Sequence, residues 1–402
     1  MRTFALALAF SGMLTVEQRD SGRGHFDRPT VAVSADARFI AFVTYAQLVQ
    51  ADTDIRGDLY VLDRLDERVT LESVDRDPQI STANGHPNIS GDGRFLVYES
   101  GESIILKDRA HNTSRILATG RQPEISADGR IVVFTTGESA DAGGVDLNGM
   151  REDIYALDLA SGRASRISVD LRPLAESTST SISPSVSGDG RYVAFAARPA
   201  GPAGRGPTSQ VFVRDTVEHR SIAVSPGWAP SMSADGRYVA FVQRSGKLSQ
   251  VYVFDLHSQR KTLVSRNADG DVGNGASTSP AISDDGRFVA FQSEASNLLD
   301  ADDFNLLWDV FLFDRITGEV ARVSGDPGTG WMEPSGGPAI DAKGAIVAFS
   351  SRHPTDAGDK RNDFDLYVAS YGRPARDDSA RSRAANSRIG ARSGLFASAR
   401  SR

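Results

Sequence analysis

Apolar and polar residues alternate along this chain in short bursts closed by Gly, Asp, Ser or Pro. The period is two. In Tyr192-Val193-Ala194-Phe195, for example, Tyr192 and Ala194 fall on one face and Val193 and Phe195 on the other. Both faces are apolar, so the pattern predicts strands in a sheet sandwiched between two neighbours. The 3.6-residue period of long helices is absent outside the termini.

One phrase organises these bursts. It reads Pro-x-Ile/Val/Met-Ser-x-Asp-Gly-Arg followed by an aromatic or aliphatic residue and Val-Ala-Phe. Five copies run Pro87–Tyr98, Pro123–Phe134, Pro184–Phe195, Pro230–Phe241 and Pro280–Phe291, with degenerate copies at Val31–Phe42 and Pro338–Phe349. Successive copies start 36 to 61 residues apart, a spacing that belongs to solenoids, propellers or arrays. Within each unit, the Asp-Gly pair predicts a tight turn between two strands, because Gly takes positive φ and Asp bonds the turn amides. A third strand follows, as in Asp58–Arg64, Asp153–Asp158, Gln210–Asp215, Gln250–Asp255 and Asp309–Arg315. A further turn such as Ser161-Gly162 or Thr317-Gly318 introduces a fourth, for instance Glu319–Ser324. Four antiparallel strands repeated radially make a propeller blade. The expected fold is therefore an all-β, seven-bladed β-propeller of four-stranded antiparallel blades over residues 21–372.

The last unit lacks a fourth strand, since the β pattern stops at Tyr371-Gly372-Arg373-Pro374. Met13–Asp20 precedes the first repeat much as Ala321–Asp326 precedes the last. It is the expected ring-closing strand, because an open edge would leave backbone groups unpaired.

Composition narrows the chemistry. The chain has 402 residues, 40% of them hydrophobic, enough for a sizeable core. It has no cysteine, which removes disulfides, zinc thiolates and cysteine nucleophiles. Residues 373–402 hold eight Arg and two Asp, so a net charge of −7 leaves −13 on the remainder. That Arg/Ser/Ala-rich tail has the composition of a disordered extension, and the acidic body without it is a poor nucleic-acid binder. The first residues, MRTFALALAFSGMLTV, pair one basic residue with an apolar run and Ala-Leu-Ala steps, as secretory signals do, although the run is shorter than usual. The expectation is a periplasmic or secreted protein. No run is long enough to span a membrane.

Candidate site residues follow from the ring geometry. Each unit places one residue just before its innermost strand: Thr30, His86, Gln122, Ser183, Ala229, Ser279 and Gly337. Of these, His86 and Gln122 have reach, and Arg28 lies near the same rim. Trp228 and Trp331 stand just upstream of innermost strands, where an indole either anchors a partner or caps the packing between blades. Acidic loops at Asp52/Asp54/Asp58, Asp303/Asn305/Asp309, Asp146/Asn148/Asp153 and Asp359/Asp363 approach calcium spacing. Arg56 and Leu307 stand where a further ligand is needed, so the expectation is turns that begin the third strands. No metal ligand set, cofactor or catalytic residue is assigned.

The repeated phrase resembles the WD40-like β-propeller repeats of the TolB-like family. The Asn297–Phe311 stretch is similar to that family's Asn-Leu-x-x-x-Asp-x-Asn-x-x-x-Asp-Val-Phe segment. The resemblance covers about residues 13–372 and implies a propeller that binds a protein partner in the cell envelope. TolB also has an N-terminal α/β domain, for which this sequence has no room. Related oligogalacturonate lyases imply a channel metal held by several His and a Gln. Of the six His here, only His86 falls in channel register. No Gly-x-Ser-x-Gly elbow for an attached hydrolase domain occurs. The expectation is a monomeric, non-enzymatic binding propeller that engages a protein, peptide or glycan at its channel mouth. The alternative is a metal-dependent polysaccharide lyase or hydrolase with its active site in the channel.

Overall fold

The Ser-x-Asp-Gly-Arg phrase builds the same turn in blade after blade. In the computed structural model, the Ser90 hydroxyl donates to Asp92 Oδ1 (2.6 Å), which also accepts the Arg94 N–H, and Ser90 Oγ accepts the Phe95 N–H. The Gly takes positive φ, as at Gly93 (+73°). The Arg then reaches across to the Asp that ends the third strand. Six such pairs form, Arg38–Asp63, Arg94–Asp108, Arg130–Asp158, Arg191–Asp215, Arg237–Asp255 and Arg287–Asp314, each at 2.7 or 2.8 Å. The seventh unit has Ala345 and Ser370 at these places and forms no such pair.

The structure describes residues 17–18, 31–44, 47–53, 57–73, 85–138, 151–172, 174, 179–199, 209–299, 307–324, 334–351 and 364–370. They form seven four-stranded antiparallel sheets, and no helix is found among them. Six sheets are continuous in sequence. The first, for example, runs Val31–Val33, Phe39–Thr44, Asp58–Asp63 and Arg68–Leu71 from the inside outward. The seventh comprises Ser335–Ile340, Ile346–Ser351 and Phe364–Ser370, with Glu17–Gln18 as its outer strand. There Glu17 pairs with Asp365 and Gln18 with Phe364. The chain thus closes the ring with its own beginning.

Packing between blades follows a single rule. On the second strand of each blade a small or branched residue receives the large ring of the blade that follows. Ala194 packs with Phe241, Ala240 with Phe291, Ala290 with Phe349, and Ala348 with Phe42 across the closing interface. Ala41 takes Tyr98, Val97 takes Phe134, and Val133 takes Phe195. The alternation read at Tyr192–Phe195 is visible directly, since Val193 and Phe195 face the preceding blade and Ala194 faces the next. These rings are almost fully buried, and each buried aromatic contributes on the order of 2–3 kcal/mol relative to exposure. In six blades the ring also stacks on an aromatic of the third strand, as Phe195 does on Phe212 at 5.8 Å.

Candidate functional site

The seven innermost strands surround one axial cavity of ≈ 290 Å³. Its mouth is set by a backbone irregularity. In six blades the residue before the repeat's proline adopts a left-handed conformation: His86 (φ 50°), Gln122 (54°), Ser183 (55°), Ala229 (47°), Ser279 (51°) and Gly337 (61°). Proline disfavours helical φ/ψ for the residue before it and cannot donate to a ladder. Here each pair sits in a β-bulge, where two residues oppose one on the second strand. The first five of these residues line the cavity.

His86 and Gln122 are brought together by a residue that the sequence reading missed. Glu99, near the end of a second strand, lies with its Oε1 2.8 Å from His86 Nδ1, off the line that a hydrogen bond needs. The same oxygen accepts the Gln122 N–H. His86 Nε2 is buried without a hydrogen-bond partner. Gln122 Oε1 accepts the Ser183 N–H (3.0 Å) and the Thr135 hydroxyl (3.3 Å), so this side chain ties blade three to blade four.

Below the mouth, the variable x of Pro-x-Ile forms a second tier. Asn88 Oδ1 accepts the Ile125 N–H, Glu124 Oε2 the Val186 N–H, Ser185 Oγ the Met232 N–H and Ser231 Oγ the Ile282 N–H, at 3.0 to 3.2 Å. Each bond joins one blade to the next. On the remaining blades this tier is Ala32, Ala281 and Ala339, so half of the wall is polar and half apolar. Burial pushes the Glu124 carboxyl up to about 7, against the pull of the Val186 N–H and the Ser185 hydroxyl. Neither hydrogen-bonded neighbour is charged, and no Lys or Arg pairs with this carboxylate among the described residues.

At the far end the x of Ser-x-Asp-Gly makes a third tier. Main-chain hydrogen bonds run from blade to blade around the whole ring, among them Gly91 to Ala127, Gly188 to Ala234, Asp284 to Ala342 and Ala342 to Ala35. The blades approach so closely there that a methyl group on Gly188 would lie 3.0 Å from Ala234 Cβ. Asp284 is the one charged residue of this tier, and its carboxyl is raised by burial and then by the nearby Asp341 charge.

The other candidates lie away from the channel or outside the described residues. Trp228 opens the innermost strand of blade five opposite Val242, half-buried, and does not line the cavity. Trp331, Arg28 and Thr30 fall outside the described residues, as do residues 373–402 and most of the acidic loops. The acidic residues that begin third strands are engaged in structural bonds. The Ser168 hydroxyl donates to Asp153 (2.6 Å) and the Ser324 hydroxyl to Asp309 (2.7 Å), with Asp58 and Ser73 paired likewise. Asp52 bonds the Tyr60 hydroxyl. Among the described residues no three His, Cys, Asp or Glu converge to hold a metal, and no helix is long and apolar enough to cross a membrane.

Sheet order, ring closure and axial cavity together define a seven-bladed β-propeller with a solvent-facing channel. No protein-family model matches the sequence, and no curated protein matches it either. Among solved structures, an oligogalacturonate lyase from Vibrio parahaemolyticus shares 12% identity over 91% of this chain and 99% of that one, with a TM-score of 0.57. The β-propeller domain of the Trilobed protease from Pyrococcus furiosus, described as having an open velcro topology, shares 11% over 90% and 94%, at 0.53. TolB from Acinetobacter baumannii shares 20% identity over 71% of this chain but only 66% of its own, at 0.43. TolB proteins thus stand among the structures this chain resembles, and at these identities the likeness is one of fold.

Proposed function

We propose that this protein is a non-enzymatic binding propeller of the bacterial cell envelope, engaging a protein, peptide or glycan through the mouth of its channel. The observation that carries this reading is the contrast between frame and mouth. The turns, ion pairs and ring-into-socket contacts repeat from blade to blade, whereas the mouth residues differ: His86, Gln122, Ser183, Ala229, Ser279. A concave site with a few polar groups converging from different strands is the usual form of a recognition site. A role like that of the TolB-like family, binding a protein partner, agrees with this arrangement.

The second reading, a channel enzyme acting on a polysaccharide, draws on the likeness to an oligogalacturonate lyase. Its weakness is the donor set, because His86 is the only His among the described residues that lines the channel and Gln122 Oε1 is already bonded across two blades. The two readings part in one experiment. The full chain is immobilised, partners are captured from an envelope extract, and the capture is repeated with His86→Ala/Gln122→Ala. The expected result is a partner retained by the parent and lost at least about tenfold with the double variant, equivalent to ~1.4 kcal/mol. Equal capture by both removes the mouth as the site. Manganese-dependent release of unsaturated products from oligogalacturonate, abolished by His86→Ala, would establish the enzyme instead.

A further inference from the structure

We infer that the channel admits an alkylammonium group, the charged end of a lysine-type side chain or free amine, which docks on the Glu124 carboxylate with its methylene stem along Ala32, Ala281 and Ala339. This deepens the proposed binding role and rests on the channel being a binding site. Three features of the cavity carry it.

The first is charge without a counter-charge. Glu124 stands on the innermost strand of blade three, inside the ring, bonded only to the Val186 N–H and the Ser185 hydroxyl. Both are neutral donors, and the carboxylate has no cationic partner among the described residues. A charge held between sheets is costly unless paired, and a ligand cation supplies the pair. The second is the shape of the wall. Its polar side, Asn88, Glu124, Ser185 and Ser231, faces an apolar side of alanines, which suits a group with a charged tip on a hydrocarbon stem. The third is the far end, where a closed belt of main-chain bonds joins the blades, small residues line the same cavity, and Asp284 adds a second negative charge. A single carboxylate with neutral neighbours suits a monovalent ammonium better than a divalent metal, which needs several ligands at once.

The pH dependence follows with one sign. Docking requires ionised Glu124, and its carboxyl titrates at about 7. Affinity is therefore expected to be about tenfold weaker at pH 6 than at pH 8. Asp284, which also faces the channel, acts in the same direction, gaining negative charge as pH rises. Arg121, on the same strand as Glu124, points outward, pairs with Glu152 and does not line the cavity.

The test is a titration of the full chain, followed by NMR or calorimetry, with Nα-acetyl-lysine amide, 1,5-diaminopentane and the uncharged Nα-acetyl-norleucine amide. Saturable binding of at least one amine, absent for the norleucine probe and weakened tenfold or more by Glu124→Gln, supports the inference. The tighter of the two amines assigns the source as a partner's side chain or a free amine. Glu124→Gln keeps an oxygen for the Val186 N–H, and an unchanged melting curve would confirm that it folds. Should it not fold, Asp284→Asn and the pH 6 to pH 8 comparison on the parent protein serve in its place. Amine binding insensitive to both the variants and pH overturns the inference, as does equal binding of the norleucine probe. Failure of both amines, with partner capture still dependent on His86 and Gln122, overturns the ammonium docking alone and leaves the binding propeller standing.

Discussion

Gly93 shows how much a single position in the repeat is asked to do. It takes φ of +73°, and a Cβ placed on it would lie 2.1 Å from the Phe39 ring of the preceding blade. Gly236 and Gly286 meet Tyr192 and Tyr238 in the same way. Gly93→Ala is therefore expected to destabilise the protein by roughly 2–4 kcal/mol, from left-handed strain plus overpacking, measured by denaturant unfolding. Loss of less than ~0.5 kcal/mol would mean that the ring gives way easily. Ala37 occupies the equivalent place in the first blade at φ 59°, and there the preceding blade offers Ile346 rather than an aromatic. At this scale the sequence was legible wherever the phrase repeats. His86 and Gln122 could be placed at the mouth because each precedes a proline of the motif. Glu99 and Glu124 could not. Glu124 occupies the variable position of the phrase and reads as an ordinary polar residue in an alternating strand, and only the bulge and ring geometry aim it inward.

The elements themselves follow from local chemistry to an unusual degree. Asp-Gly turns, alternating apolar runs and a regular phrase fix four strands per blade, and the count of phrases fixes the number of blades. The bulges before each proline are different, because nothing in a period-two pattern announces an extra residue. They come from the conflict between a proline that cannot donate and a ladder that continues past it. The outer strand of the seventh blade is the one element assembled from distant parts of the chain, with Glu17–Gln18 against Phe364–Ser370. Removing residues 1–20 is expected to lower the melting temperature by roughly 5 °C or more and to increase aggregation, since the exposed edge would offer free ladder positions. An unchanged melt and monodisperse solution would show that the pairing contributes little.

At the scale of the whole molecule, ion pairs and packing respond to different variables. Arg191 beside Asp215 holds that carboxyl down at about 2, and Arg38 does the same for Asp63. Backbone donors from Ser161, with the Arg130 guanidinium, hold Asp158 at about 2. A carboxylate with a depressed native pKa stabilises above its unfolded value and loses that contribution as pH falls through the native one. The melting temperature is therefore expected to rise modestly from pH 7 to about 5, as Glu124 with its raised native pKa takes up a proton, and to fall between about pH 4 and 2 as the depressed carboxylates protonate. Arg191→Gln should flatten part of that fall while changing the melting temperature little at neutral pH, because solvent screens an ion pair at the surface. A fall that begins near pH 6 would point to other groups. The ring-into-socket contacts are insensitive to pH, and they give the assembly a handedness of grip. Every blade carries a plug on one side and a receptacle on the other, all facing the same way around the axis. A blade is thus a cartridge: what it presents at the mouth can be rewritten without renegotiating its fit to either neighbour. Recognition in such a molecule is free to change one seventh at a time.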